Sequence, residues 1–154
     1  MIEYYKLNPN GTYEKCSFIE AFSDEAEKGK RIGLTKLKMD GTTICRISTV
    51  FLPIDHSFTK NSHPILFETM VFLNNGYDDR VCERYCTYED AKNGHIEITS
   101  SIINGALERK VNFTIEEHML HGEEDSEAMY RLGKETGTER SKSLQSKEKV
   151  SALT

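Results

Sequence analysis

No stretch of the sequence approaches the ~18 consecutive apolar residues that a membrane-crossing helix needs. The opening run Met1-Ile-Glu-Tyr-Tyr-Lys lacks the basic-then-apolar order of a secretory leader. Of the four cysteines, Cys16, Cys45, Cys82 and Cys86, no two form a C-x-x-C pair, which excludes a zinc ribbon and a thioredoxin motif. Cys82 and Cys86 share a face if their segment is a strand, but stand ~13 Å apart, beyond disulfide reach. Buried free thiols in a reducing compartment are the expectation. The sequence also has no Gly-rich phosphate loop, no G-x-S-x-G and no H-E-x-x-H, and His95-Ile-Glu is not the His-x-Thr/Ser of a two-histidine phosphoesterase. An enzyme is therefore the weaker class, with no catalytic residue, cofactor or metal expected. Basic charge is scarce where the core should lie. From Arg131 onward six basic residues face three acidic ones, so the overall charge of −5 leaves −8 on residues 1–130. That balance argues against DNA as a partner.

The 154 residues suit one domain, and an apolar fraction of 37% with a mean hydropathy of −0.57 leaves room for a solvated tail. The pattern predicts an α+β fold: an antiparallel sheet core with a packing helix and a C-terminal helical extension. Residues 2–7 and 12–16 read as short strands around Asn10-Gly11. Ser17 with Glu20 forms a capping box, which predicts a helix over 18–28 closed by Gly29. Asp40-Gly41 joins two strands, 31–39 and 42–52, in a register that sets Leu37 opposite Ile44 and Thr35 opposite Arg46. One face then carries Leu37, Met39, Ile44, Val50 and Leu52 around Arg46 and Ser48. The other carries Ile32, Leu34, Ile47, Thr49 and Phe51, with Lys36 and Lys38 toward the turn. Pro53–Pro64 is a polar loop long enough to be functional or disordered. Strands follow at 65–73 and 80–87. Thr87 caps a helix whose apolar stripe runs Ala91, His95, Ile98, Ile102 and Ile103 to Asn104-Gly105. Thr114-Ile-Glu-Glu starts a further helix to Leu120, another stretch covers 123–132, and the sequence from Gly133 has one apolar residue in its next sixteen. The expected units are a core at 1–105, a helical extension at 106–133 and a flexible tail at 134–154.

His118-x-x-His121 has a metal-capable spacing, but no third ligand is in place and an exposed polar segment is the favoured reading. Charge inside apolar strands is the stronger signal. Arg46, Glu68 and Arg84 each sit among large apolar neighbours, where an unpaired charge is costly, so an arginine should pair with Glu68. A second arginine is then available to grip an anion through its guanidinium fork. With His56, Phe58, Lys60 and Asn61 of the loop, and Phe67, the candidates Arg46 and Arg84 offer stacking, amide and cationic contacts of the kind a nucleotide needs.

Six segments occur in an order that resembles a small protein family of tailed phages and prophages. They are Tyr4-Tyr5-Lys6, Arg31-Ile-Gly-Leu-Thr, Ser48-Thr-Val-Phe-Leu-x-x-Asp-His-x-Phe58, Leu66-Phe-Glu-Thr-Met-Val-Phe72, Glu83-Arg-Tyr-x-Thr87 and Glu89-x-Ala-x-x-Gly-His95. The resemblance covers about residues 1–103 and departs in the loop, where Pro53 and Thr59-Lys-Asn-Ser-His63 stand in place of a Gly/Pro-rich stretch. It implies a phage anti-defence protein similar to the Thoeris anti-defence sponges. Such a protein works in the host bacterial cytoplasm as a homo-oligomer, a dimer or a dimer-based assembly such as a hexamer, away from membranes. It binds without cleaving a cyclic ADP-ribose isomer, and in some cases cyclic oligonucleotides. Two alternatives remain open: an inhibitor that binds a host defence protein directly, and an enzyme that degrades a nucleotide signal.

Overall fold

The computed structural model describes residues 1–58, 63–74 and 78–136, the side chains of 78–80 excepted. The chain begins with two short strands, β1 (Tyr4–Leu7) and β2 (Tyr13–Cys16), paired antiparallel in a sheet of their own. Their turn is possible only with glycine. Gly11 takes φ +88°, and a Cβ there would sit 2.4 Å from the Tyr88 ring. Two short helices follow, α1 (Phe18–Ala21) and α2 (Asp24–Gly29), in place of the single helix expected over 18–28. The capping box of Ser17 and Glu20 is present, but Ser23 is itself an N-cap, its hydroxyl accepting from the Ala26 amide at 3.2 Å. Two caps six residues apart break the run, because each holds its own residue in an extended conformation. Ser23→Ala should lower stability by about 1 kcal/mol, read as a shift of the urea midpoint.

The main sheet has five antiparallel strands: β3 (Arg31–Met39), β4 (Thr42–Phe51), β5 (Phe67–Leu73), β6 (Asp78–Tyr85) and β7 (Thr114–Leu120), in the order β6-β5-β4-β3-β7. Asp40 and Gly41 make the predicted two-residue turn, with φ of 48° and 80°. The register holds only next to it. Past Lys38–Thr43 the pairing slips by one, so Leu37 faces Cys45 and Thr35 faces Ile47. Ile44 is the extra residue of a β-bulge, and a slip of one exchanges the faces. The covered face therefore joins Thr35 and Leu37 to Cys45, Ile47 and Thr49, whereas Arg46, Ser48 and Val50 share the open face with Leu34 and Lys36.

A second bulge explains the largest correction. Residues 114–120 form an edge strand, not a helix, while the C-terminal helix of the expected fold is present over residues 125–136. Glu116 is extra between the pairs Lys36–Glu117 and Leu37–Ile115. It turns the inward series Phe113, Ile115, His118, Leu120 into an uneven spacing that looks helical in sequence.

The helix α3 (Tyr88–Glu108) starts at the Thr87 cap, as expected, and runs one turn beyond Asn104-Gly105. It lies across one face of the sheet, and α4 (Asp125–Thr136) packs beside it against β7. Between them lies the core of Leu37, Ile47, Val71, Ile103, Phe113, Ile115 and Leu132, with a second cluster of Tyr5, Ile32, Phe51, Leu66, Phe67 and Ala91 at the β1–β2 end. Residue 134 thus belongs to α4, and Thr136 is buried; the rest of the expected tail lies outside the described residues. All four cysteines are free, but only Cys45 is buried, its thiol pushed up to about 11 by burial. Among the described residues no helix is long and apolar enough to cross a membrane.

A row of polar side chains runs through this apolar core. The His118 Nε2–H donates to the Ala128 carbonyl at 3.2 Å, and Thr35 Oγ1 lies 2.6 Å from His118 Nδ1 and 2.9 Å from His95 Nε2. Thr49 Oγ1 lies 2.8 Å from His95 Nδ1 and 2.6 Å from Thr69 Oγ1, which also bonds the Tyr85 hydroxyl. All but Tyr85 are buried. Two glycines make the space: a Cβ at Gly33 would stand 2.7 Å from the His95 ring, and one at Gly94 would stand 2.2 Å from the Tyr85 hydroxyl.

Candidate functional site

The helices cover one face of the main sheet and leave the other to be read as a surface. Across its middle runs a row of paired residues on four adjacent strands: Phe72 on β5, Arg46 on β4, Lys36 on β3 and Glu117 on β7. The exposed Arg46 guanidinium lies over the Phe72 ring, 4.5 Å from its centre, which holds the cation flat without neutralising it. Lys36 Nζ is 3.1 Å from Glu117. Among the described residues neither Arg46 nor Lys38 meets a carboxylate. Beside the row, Lys36, Thr43, Cys45, Arg46 and Phe72 line a hollow of about 290 Å³. The bulge at Ile44 lies beside this hollow, between Thr43 and Cys45. Thr43 is in turn anchored by donating to Glu116 at 2.9 Å.

The predicted site residues separate into groups. Arg84 Nε donates to Glu68 at 2.8 Å, so this arginine makes the expected ion pair. It shares the open face with Arg46. Yet Glu68 and Phe72, their partners on β5, are four residues apart, about 13 Å. Phe67 is corrected outright: it points to the covered face, fully buried against Phe51 and Tyr13, and no ligand on the open face reaches it. His56 and Phe58 sit in the loop after Phe51, five residues and about 17 Å along β4 from Arg46. Phe58 is 96% exposed there. The loop therefore adjoins the far end of the strand that carries Arg46. Lys60 and Asn61 lie outside the described residues.

Asp55 was missed by the sequence reading, although Asp-x-Ser is a recognisable turn signature. Its carboxylate accepts from the Ser57 amide and hydroxyl at 2.8 and 2.7 Å and from the Ile65 amide at 2.8 Å, clasping both ends of the loop. Burial would raise its pKa, but these hydrogen bonds outweigh it and hold the carboxyl below its ordinary value. His118 and His121 lie on and just after a strand, not on a helix. His118 points into the core, while His121 Nδ1 meets the Tyr88 hydroxyl at 2.7 Å. Among the described residues no group of three His, Cys, Asp or Glu side chains could hold a metal ion.

A second cluster gathers on the covered side. Glu123 is shared by Lys92 at 2.8 Å and by Arg131, whose other nitrogen reaches Asn93 at 2.6 Å. Burial would raise the Glu123 carboxyl, and the two cations hold it below its ordinary value instead. With both cations spent on one carboxylate, this cluster staples α4 to α3. At the open-face hollow the Arg46 guanidinium stacks on Phe72 and, among the described residues, meets no carboxylate. No family model, curated protein or solved structure matches the chain.

Proposed function

We propose that this protein is a binding protein that captures a small anionic ligand of the nucleotide type on the open face of its main sheet and holds it intact. One observation supports the reading above the others. In a chain whose first 130 residues carry −8, the open face presents Lys36 and Arg46 at a hollow that the Phe72 ring also lines, with Lys38 further along β3. A phosphate takes the guanidinium fork and the ammonium groups, and a flat base stacks where Arg46 and Phe72 already stack. The resemblance to phage anti-defence sponges names the ligand class, a cyclic ADP-ribose isomer, and adds a homo-oligomer in the host cytoplasm as the working form. The loop candidates His56 and Phe58 then serve a ligand long enough to cross the face, or a second copy.

The test is depletion followed by release. The protein is mixed with a cyclic ADP-ribose isomer, the free ligand is measured, and the complex is boiled. Depletion with recovery of intact ligand supports capture, and recovery of an altered product replaces it with an enzyme. Arg46→Ala should weaken capture by about 10- to 150-fold, the worth of one charge-assisted hydrogen bond, without unfolding the exposed strand position.

A second reading has its own observation. Phe18, Ile19 and Phe22 are 58, 80 and 40% exposed on the capped corner of α1, and the two phenylalanine rings pack on Tyr4. Rigid exposed aromatics suit direct binding of a host protein. Absence of any ligand depletion would move the proposal there.

A further inference from the structure

The buried polar row has one direction of hydrogen bonding, set by a single atom. A carbonyl oxygen only accepts, so the bond to Ala128 places the His118 proton on Nε2 and leaves Nδ1 bare. Thr35 must give its one hydrogen to that nitrogen, at 2.6 Å, so its oxygen accepts from His95 Nε2–H at 2.9 Å. His95 Nδ1 is then bare and takes the Thr49 hydrogen at 2.8 Å, while the Thr49 oxygen accepts from Thr69 at 2.6 Å. The Tyr85 hydroxyl stands beside Thr69 at the end of the row. At neutral pH every member is satisfied in only this arrangement.

One added proton leaves a second arrangement that is equally satisfied. If His118 becomes an imidazolium, Nε2–H still donates to Ala128 and Nδ1–H now donates to Thr35. Thr35 turns its hydrogen to His95 Nε2, so His95 carries its own proton on Nδ1 and donates to Thr49. Thr49 donates onward to Thr69, Thr69 donates to Tyr85, and the half-buried Tyr85 turns its hydrogen outward. The proton comes from solvent and no bond in the row is lost. Two added protons have no such solution. Both imidazoliums would then donate to the Thr35 oxygen, the Thr35 hydrogen would lose its acceptor, and two cations would face each other with ring centres 6.0 Å apart.

We propose that the row is a one-proton switch, in which protonation of His118 keeps the bond to Ala128, reverses the hydrogen bonds from Thr35 onward and moves the His95 proton from Nε2 to Nδ1. The groups that face the two rings are Thr35 from β3, Thr49 from β4, Thr69 from β5 and Tyr85 from β6. The carboxylates Glu123, before α4, and Asp125, in its first turn, stand toward His118 and draw the proton there. Neither carboxylate acts on His95, whose charged neighbour would be His118 itself. Helix α4 stays docked in both states, since its Ala128 acceptor is never released. Gly33 and Gly94 are part of the device, because they leave room for the His95 ring in the middle of the row and for Tyr85 at its end.

Nitrogen-15 spectra of the imidazoles, recorded on the whole protein as pH is lowered from 7, distinguish the tautomers directly. The expected result is a first step in which His118 gains one proton, His95 stays neutral and its protonated nitrogen changes from Nε2 to Nδ1, with circular dichroism unchanged. Three outcomes overturn the proposal: His95 keeping Nε2–H after His118 is charged, both rings charged in the folded protein, or unfolding before His118 takes its proton. Thr35→Ser preserves the relaying hydroxyl and should keep the tautomer change; a loss of the change in that folded variant also overturns it. Thr35→Val removes the relay. Where it folds, His118 and His95 should titrate without the tautomer exchange, and an unaltered exchange there counts against the switch.

Discussion

Gly33→Ala is expected to destabilise the fold by about 3 kcal/mol or more, although a strand glycine ordinarily gains from a side chain. The added Cβ would meet the His95 ring at 2.7 Å, and that ring cannot step aside because Thr35 and Thr49 hold both of its nitrogens. The variant must therefore either spread β3 from α3 or break the buried row, which leaves polar atoms unpaired in the core. The comparison is Gly94→Ala, placed within a helix where alanine is normally worth ~1 kcal/mol over glycine. There the Cβ would meet the Tyr85 ring, so the usual gain should turn into a loss, smaller than at Gly33 because Tyr85 is only half buried and can shift. Urea denaturation of the two variants checks both the signs and the order. A Gly33→Ala protein as stable as the parent would remove the close contact between β3 and α3 from the account.

Acidification should be the other large effect. Burial, together with its neighbour His118, drives His95 down to about 3, and burial drives His118 down to about 4. In the unfolded chain both titrate near ~6.5, so below that pH the unfolded state binds more protons than the folded one, and stability falls. Each histidine approaches about 1.4 kcal/mol per pH unit below its unfolded pKa, so the pair should remove about 3 kcal/mol between pH 6.5 and 5. The loss from His118 ends once its folded pKa, near 4, is passed, and the loss from His95 goes on below that. His121, held below its ordinary value by burial and by Lys92, adds in the same direction. The carboxyls of Glu123 and Asp55, held low in the fold, extend the decline below pH ~4.5. Thermal or urea midpoints measured at pH 7 and pH 5 test this. Equal midpoints would mean that the two histidines are not neutral and buried together.

The elements legible in the sequence were those written in local chemistry. The α+β class, the hairpin turn at Asp40-Gly41 and the caps at Ser17 and Thr87 all follow from neighbours within a few residues. That Glu68 pairs with an arginine was legible as well, because a charge among apolar strand residues demands a partner wherever it lies; which arginine it takes was not. What misled was the assumption of unbroken periodicity. Ile44 and Glu116 are ordinary residues in sequence, and nothing local marks either as the extra residue of a bulge. The first exchanged the faces of the hairpin, and the second disguised β7 as a helix. The candidate site suffered for the same reason: Phe67 was grouped with Arg46 although the two point to opposite faces.

Sequence alone determined the composition of each stripe and turn, since capping, turn formation and burial of apolar side chains are properties of short segments. It also determined that Thr35, Thr49 and Thr69 interrupt apolar strands and that His95 lies on the apolar stripe of α3. Only the tertiary structure decided that these belong together. A threonine in a strand and a histidine on a helix, 46 or 60 positions apart, become one hydrogen-bonded row only when five strands and two helices close on each other. The physical reason is that a buried polar atom must find its partner in space, and sequence carries no distance between segments that the chain folds together.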